Sequence, residues 1–142
     1  MSHIGIIYWS GTGNTEKMAE LIAKGAADAG AEVTCKNVSA ASPGEIDGYG
    51  VVVLGSPSMG SEVIEESEME PFVDAVIPKL AGRKAAIFGS YGWGDGEWMR
   101  NWAARMKDAG INLLDDGLIA HETPDGESEQ ECVTYGGRIA AF

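Results

Sequence analysis

A chain of 142 residues with no shift in composition along its length fits one domain, residues 1–142, large enough to bury roughly 68–70% of its unfolded surface. Ten Lys and Arg against 22 Asp and Glu give a net charge of −12, which argues against nucleic acid or an anionic membrane as a partner, since both need a cationic face. A hydrophobic content of 44% is too high for a disordered acidic tail, and no apolar run approaches the ~18–20 residues of a membrane span.

Five apolar runs alternate with helix-like segments. The first run covers residues 4–8, and Met18, Leu21, Ile22, Gly25 and Ala29 follow it as one buried helical stripe. The second covers 33–38, and the stretch 42–47 behind it has room for a turn or two of helix. The third is 51–54, ending in Gly55. A stripe of Phe72, Val73, Val76, Ile77 and Leu80 comes next, after a capping-box pair of Ser67 and Glu70. Pro78 inside that stripe should kink or end the helix. The fourth run is 84–89, followed by Trp98, Trp102, Met106 and Ala109 at helical spacing. The fifth is less continuous, 111–114 and then 118–120, before a last stripe of Cys132, Tyr135, Gly136, Ile139 and Ala140.

Runs that stay apolar without alternation read as strands covered on both faces, hence parallel. Strand and helix in repeated alternation give an α/β fold, a doubly wound sheet of five parallel strands. Such sheets bind ligands beyond the carboxyl ends of their strands, where the strand order reverses. The loops that matter therefore follow the first, third and fourth strands.

The first of these loops is Ser10, Gly11, Thr12, Gly13, Asn14 and Thr15, leading into a helix at Glu16. Its glycines permit a tight turn, its hydroxyls and amide add donors, and a helix N-terminus favours an anion. It holds no Lys or Arg, so it would cradle a phosphate with neutral donors. Glu16 stands where a dinucleotide fingerprint needs its third glycine, no P-loop G-K-[ST] exists, and neither cysteine lies here to act as a phosphatase nucleophile. After the third strand come Ser56, Pro57, Ser58, Met59, Gly60, Ser61 and Glu62. After the fourth come Ser90, Tyr91, Gly92, Trp93, Gly94 and Asp95. A Met and a Trp on neighbouring loops beside a phosphate cradle point to a flat ring held between a polarisable sulfur and a π-face.

Together these three loops resemble the short-chain flavodoxins, and the likeness covers nearly the whole chain. The resemblance implies FMN as cofactor and the strand order 2-1-3-4-5, for which the flavodoxins are themselves the standard example. It implies that Ser10 to Thr15 hold the FMN phosphate, with Met59 against one face of the isoalloxazine and Trp93 against the other. It further implies that the Gly60–Ser61 peptide rotates toward flavin N(5), that Glu62 receives the N(3)–H, and that the Gly92 amide approaches the pyrimidine edge. Two positions depart from the family: Ser61 stands where Asp commonly follows the glycine, and Pro57 stands where relatives offer a hydroxyl.

The function implied is a low-potential one-electron carrier, not an enzyme, working mainly between semiquinone and hydroquinone. Glu62, Glu65, Glu66, Glu68, Glu70, Asp95 and Glu97 sit in or beside the ring-binding loops, where their charge disfavours an anionic reduced flavin. The same acids form a solvated face that could steer redox proteins with basic docking faces, such as reductases and ferredoxin-linked oxidoreductases. The expected protein is a cytoplasmic monomer, without a signal peptide or a metal. Cys35 and Cys132 are expected as two buried, reduced thiols. His3 and His121 lack company that would make them ligands. Two rivals stand beside this reading. An FMN-dependent quinone or nitro reductase of the same fold would need hydride access that a stacked Trp93 blocks. A phosphoacceptor receiver domain would need acids where Ser10–Gly11 and Ser56–Pro57 stand.

Overall fold

The computed structural model describes residues 3–142. Strands β1 (His3–Tyr8), β2 (Glu32–Asn37), β3 (Val51–Gly55), β4 (Lys84–Tyr91), β5 (Asn112–Leu113) and β6 (Leu118–His121) form one sheet. Helices α1 (Asn14–Asp28), α2 (Met69–Leu80), α3 (Glu97–Asp108) and α4 (Glu127–Ala141) cover its faces. The strands run in the order β2-β1-β3-β4-β5, with β6 also against β4, and every pairing is parallel. No helix among the described residues is long and apolar enough to cross a membrane.

The unbroken hydrophobicity of the central strands follows from this layering. Ile4, Ile6, Tyr8, Val51, Val53, Ala86 and Phe88 pack with Met18, Ile22 and Ala26 of α1 and Cys132, Tyr135 and Ile139 of α4. Ile7, Val52, Leu54, Ala85 and Ile87 point to the opposite face, against Phe72, Val73 and Val76 of α2 and Trp98, Trp102 and Met106 of α3. The central strands β1, β3 and β4 therefore bury both sides of their pleat along most of their length, which leaves little room there for a polar alternate, whereas the edge strand β2 carries Glu32, Thr34, Lys36 and Asn37.

Five details differ from the sequence reading. The fifth strand position is filled by two strands, because β5 pairs with Lys84 and Ala85 while β6 pairs with the stretch from Phe88 to Tyr91. Between them Asp115 leaves the sheet to accept from the Gly117 N–H at 2.9 Å and the Tyr135 hydroxyl at 2.7 Å. Pairing with β6 also extends β4 through Ser90 and Tyr91, which are strand residues rather than loop. Pro78 does not stop α2 at once, since the helix runs two residues further to Leu80; the missing N–H falls in its last turn. Cys35 is exposed because β2 is the sheet edge, whereas Cys132 is buried in the core, so only one of the two free thiols is interior.

The fifth difference lies at the start of α2. No Ser67–Glu70 capping box forms there. The Glu65 carboxylate, on a residue only 5% exposed, accepts the backbone N–H groups of Ser67, Glu68 and Met69 at 2.8–2.9 Å, and the Ser67 hydroxyl as well. Burial opposes the charge on Glu65, but these donors outweigh it and hold the carboxyl below the usual carboxylate range. Glu65 is thus a helix cap and does not belong to the solvated acidic face. A capping interaction of the expected kind appears instead before the short 3-10 helix Pro43–Gly48, where the Ser42 N–H donates to the Glu45 carboxylate at 2.7 Å.

Candidate functional site

The ends of β1, β3 and β4 open into a cavity of about 540 Å³, within the range of small-molecule sites. Its walls include Ser10, Gly11, Thr12, Asn14 and Thr15 from the first loop, Pro57, Ser58 and Met59 from the second, and Ser90, Tyr91, Gly92 and Trp93 from the third. The sheet decides this convergence. β1 lies between β2 and β3, so the chain leaves β1 toward one side and β3 toward the other, and the gap lies between the departing loops.

Local chemistry shapes each wall. The Ser10 hydroxyl accepts the N–H groups of Gly13 at 3.1 Å and Glu16 at 3.2 Å, folding the loop over the start of α1. Gly13 caps that helix at φ +97°, a conformation that suits glycine, so the N-terminal end of a 15-residue helix borders the cavity. Thr15 is buried, and its hydroxyl shares a 2.8 Å hydrogen bond with Ser90, tying the first loop to β4. The Asn14 side-chain carbonyl accepts from the Thr123 hydroxyl at 2.6 Å. On the second wall Ser58 donates its N–H to the Ser90 carbonyl at 2.9 Å, while its buried hydroxyl has no partner in the protein. A buried hydroxyl on a cavity wall is a group waiting for a ligand or a water. Met59 and Trp93 keep 37% and 61% of their surface exposed, which for side chains this apolar is unusual away from a binding surface.

Other residues singled out from the sequence lie behind or beside these walls. Ser56 is fully buried; its hydroxyl accepts the Glu65 N–H at 3.0 Å and its carbonyl accepts the Trp98 indole N–H at 3.2 Å, so it braces the loop from behind. Gly60, Ser61 and Glu62 form the tip of a tight hairpin closed by reciprocal hydrogen bonds between Met59 and Val63 at 2.8 and 3.0 Å. Gly60 sits at φ +50° and Glu62 at +56°. The Glu62 carboxylate lies where a Cβ on Gly94 would be, so the second and third loops touch through this glycine. Asp95 is exposed and paired with Arg100 at 3.0 Å, whose guanidinium holds its carboxyl below the usual range.

Two wall residues were not anticipated, Trp9 and Glu122. Trp9 lies over Gly11, at which a Cβ would stand 2.9 Å from the indole, and its N–H donates to Glu68 at 3.3 Å. Its place directly before Ser10 was a usable signal. Glu122 follows β6 at φ +57° and donates its N–H to the Tyr91 carbonyl at 2.7 Å. It reaches the cavity because β6 pairs beside Tyr91, and nothing local in the sequence announces that pairing. His121, beside it, makes a 3.2 Å hydrogen bond with the Gly92 carbonyl.

Residues 6–136 match the sequence model of the flavodoxin family. The chain is 50% identical to a flavodoxin of Clostridium beijerinckii over 135 residues, covering 95% of this chain and 97% of the relative. It is 43% identical to the flavodoxin of Megasphaera elsdenii over 137 residues, covering 96% and 98%. The solution structure of two-electron reduced Megasphaera elsdenii flavodoxin superposes with a TM-score of 0.89 at 41% identity, over 98% of this chain and 99% of that one. Neither a receiver domain nor a reductase is favoured by these likenesses. With its sheet order and near-complete alignment to proteins of its own length, this chain belongs to the flavodoxins, FMN-binding electron carriers rather than enzymes.

Proposed function

We propose that this flavodoxin is a low-potential carrier of single electrons, with FMN seated in the cavity at the ends of β1, β3 and β4. The observation that carries this reading is the donor set of that cavity. Uncharged hydroxyls and backbone N–H groups gather at the α1 N-terminus, a buried Ser58 hydroxyl stands unpartnered on the next wall, and two exposed apolar side chains flank the opening. These residues fit a phosphorylated flat ring. FMN, when bound, supplies the ability to take up and release electrons one at a time.

The residues divide the work. Ser10, Gly11, Thr12, Gly13, Asn14 and Thr15 bind the phosphate through hydroxyls, backbone donors and the helix dipole. Met59 and Trp93 exclude water from the two faces of the ring. The Gly60–Ser61 peptide would present its carbonyl to flavin N(5), since Gly60 at the hairpin tip carries no Cβ and nothing lies within 4 Å of where one would be. Glu62 accepts the N(3)–H, held in place by its contact with Gly94. Glu66, Glu68 and Glu122 keep negative charge around the site and set the potential low. The acidic face docks redox proteins of opposite charge, among them reductases and ferredoxin-linked oxidoreductases; residues 1–142 act as one domain, monomeric and cytoplasmic.

A reductive titration of the FMN-loaded protein, followed by visible spectroscopy, tests this. Two separated one-electron steps, the second well below the first, are expected, with negligible NADH oxidation by the protein alone. A single two-electron step, or rapid NADH turnover, would replace this reading with the reductase one.

A further inference from the structure

Behind the Met59–Val63 hairpin lies a second, smaller cavity of about 130 Å³, walled by Glu62, Val63, Ile64, Glu70, Trp98, Asn101, Trp102 and Arg105. Two of its wall residues carry buried polar atoms without a protein partner, namely Oε1 of Glu62 and the indole Nε1 of Trp102. Trp102 is 2% exposed, so its N–H has no access to bulk solvent. The neighbouring groups do not resolve the deficit. Arg105 is engaged by Glu70 at 2.7 Å and by Asp74, and the Trp98 indole N–H is given to Ser56.

The residues that carry this buried donor and this buried acceptor wall one cavity, and the two groups are complementary. Leaving both unpaired would cost the desolvation of each, and buried polar groups in native proteins are satisfied by protein or by ordered water. The cavity exceeds by several-fold the space that one water needs, and it supplies the two or more polar partners that hold a water in place. We propose that ordered water in this cavity links the Trp102 indole N–H to the Glu62 carboxylate, making Trp102 a positioning residue for the acid that faces the FMN ring. Glu62 stands at φ +56° on a hairpin tip with its carboxylate against Gly94, so a tether from behind fixes which oxygen is left for the ring. The part of this inference that concerns FMN rests on the role given to Glu62 above; the water link does not.

The first test needs no substitution and no FMN. In the FMN-free protein the Trp102 indole N–H should show cross-peaks to long-lived water in nuclear magnetic resonance spectra; their absence overturns the proposal. The second uses Trp102→Phe, which keeps an aromatic ring and removes the donor. At pH 7 the carboxylate carbon signal of Glu62 should move while that of Glu65, which caps the neighbouring helix, stays in place. An unmoved Glu62 signal overturns the link. With FMN, Trp102→Phe should raise the dissociation constant about 2- to 12-fold, the range expected for one hydrogen bond. If affinity stays unchanged while Glu62→Gln weakens binding, Trp102 does not position Glu62 for the ring and the proposal falls. If Glu62→Gln is also without effect, the failure lies in the ring contact assigned to Glu62, and the water link stands on the spectra.

Discussion

Trp93 is the residue on which the ring-binding assignment depends most directly. An indole with 61% of its surface in water, on the wall of a cavity, gains most when a flat partner covers it. Trp93→Ala should raise the FMN dissociation constant about 5- to 150-fold, the scale of aromatic stacking on a nucleic-acid base. Flavin fluorescence should be quenched in the wild type and recover in the variant; a titration by fluorescence reads both. Glu65 belongs to a different class of residue although the same acid run contains it. Its carboxylate caps α2, so Glu65→Gln should destabilise the fold by about 0.5–2 kcal/mol in urea unfolding, the range for loss of a cap. The sign of the pH dependence follows from its lowered folded value. Its stabilising share is fully present above the ordinary carboxylate range and is lost as pH falls from about 4.5 through that lowered value. Acid unfolding of Glu65→Gln should therefore be less steep than that of the wild type, and the two proteins should converge at low pH.

At the scale of elements, α1 and α4 lie unusually close because each presents a glycine to the other's backbone. A Cβ on Gly25 would land on the carbonyl oxygen of Val133, and one on Gly136 on that of Ile22. The sequence places both glycines in apolar stripes of their helices, but the contact itself is visible only once the helices are side by side. Gly136→Ala should force the pair apart and lower stability by about 1–3 kcal/mol, the cost of overpacking, measured by thermal or urea unfolding. Because α1 carries at its N-terminus the cavity loop to which phosphate binding is assigned above, the same variant should also weaken FMN binding, less than Trp93→Ala does. The split of the fifth strand is another event at this scale. Leu113 and Leu118 share the apolar character of one strand, yet Asp115 and Asp116 between them cannot enter the sheet, and the second piece re-pairs further along β4. That displacement carries Glu122 to the cavity and sets His121 against the Gly92 carbonyl.

Over the whole molecule, 22 acids against 10 bases make a negative field, and the pairs that involve Lys17, Lys24, Lys36, Arg100 and Arg105 neutralise it only locally. Glu66 and Glu68 are exposed acids that follow the Met59–Val63 hairpin in the chain and whose carboxylates cap no helix, and Glu68 holds the Trp9 indole at 3.3 Å. For unit charges ~10 Å away, removing both as Glu66→Gln with Glu68→Gln should raise the second one-electron potential by roughly 35–145 mV, depending on the effective dielectric. The first potential should move far less, since a proton accompanies that electron and no net charge is created. The shift should shrink as salt is added, which separates a field effect from a change of structure. Potentiometric titration at two ionic strengths checks both statements.

Chain-local information determined a great deal here. The apolar runs gave the parallel, two-face-buried sheet because a strand covered on both sides has no polar alternate to show. The run from Ser10 to Thr15 was legible as a cavity wall at a helix start because tight turns, hydroxyls and a helix N-terminus are contiguous in the chain. Met59 and Trp93 were legible as walls of the cavity because their loops follow neighbouring strands of the sheet and converge with the first loop at its carboxyl end. What the sequence could not decide was which acid does what. Glu65, Glu66 and Glu68 are near-identical as letters, and only the fold buries the first beneath an open helix end, leaves the second in water and gives the third to an indole from another loop. The same holds for Glu122, brought to the cavity by a strand pairing across the sheet edge, and for Trp102 and Glu62, which line one cavity from segments forty residues apart in the chain. Propensity and periodicity act between near neighbours, whereas burial and hydrogen-bond satisfaction depend on distant segments, and those are fixed only when the helices close on the sheet.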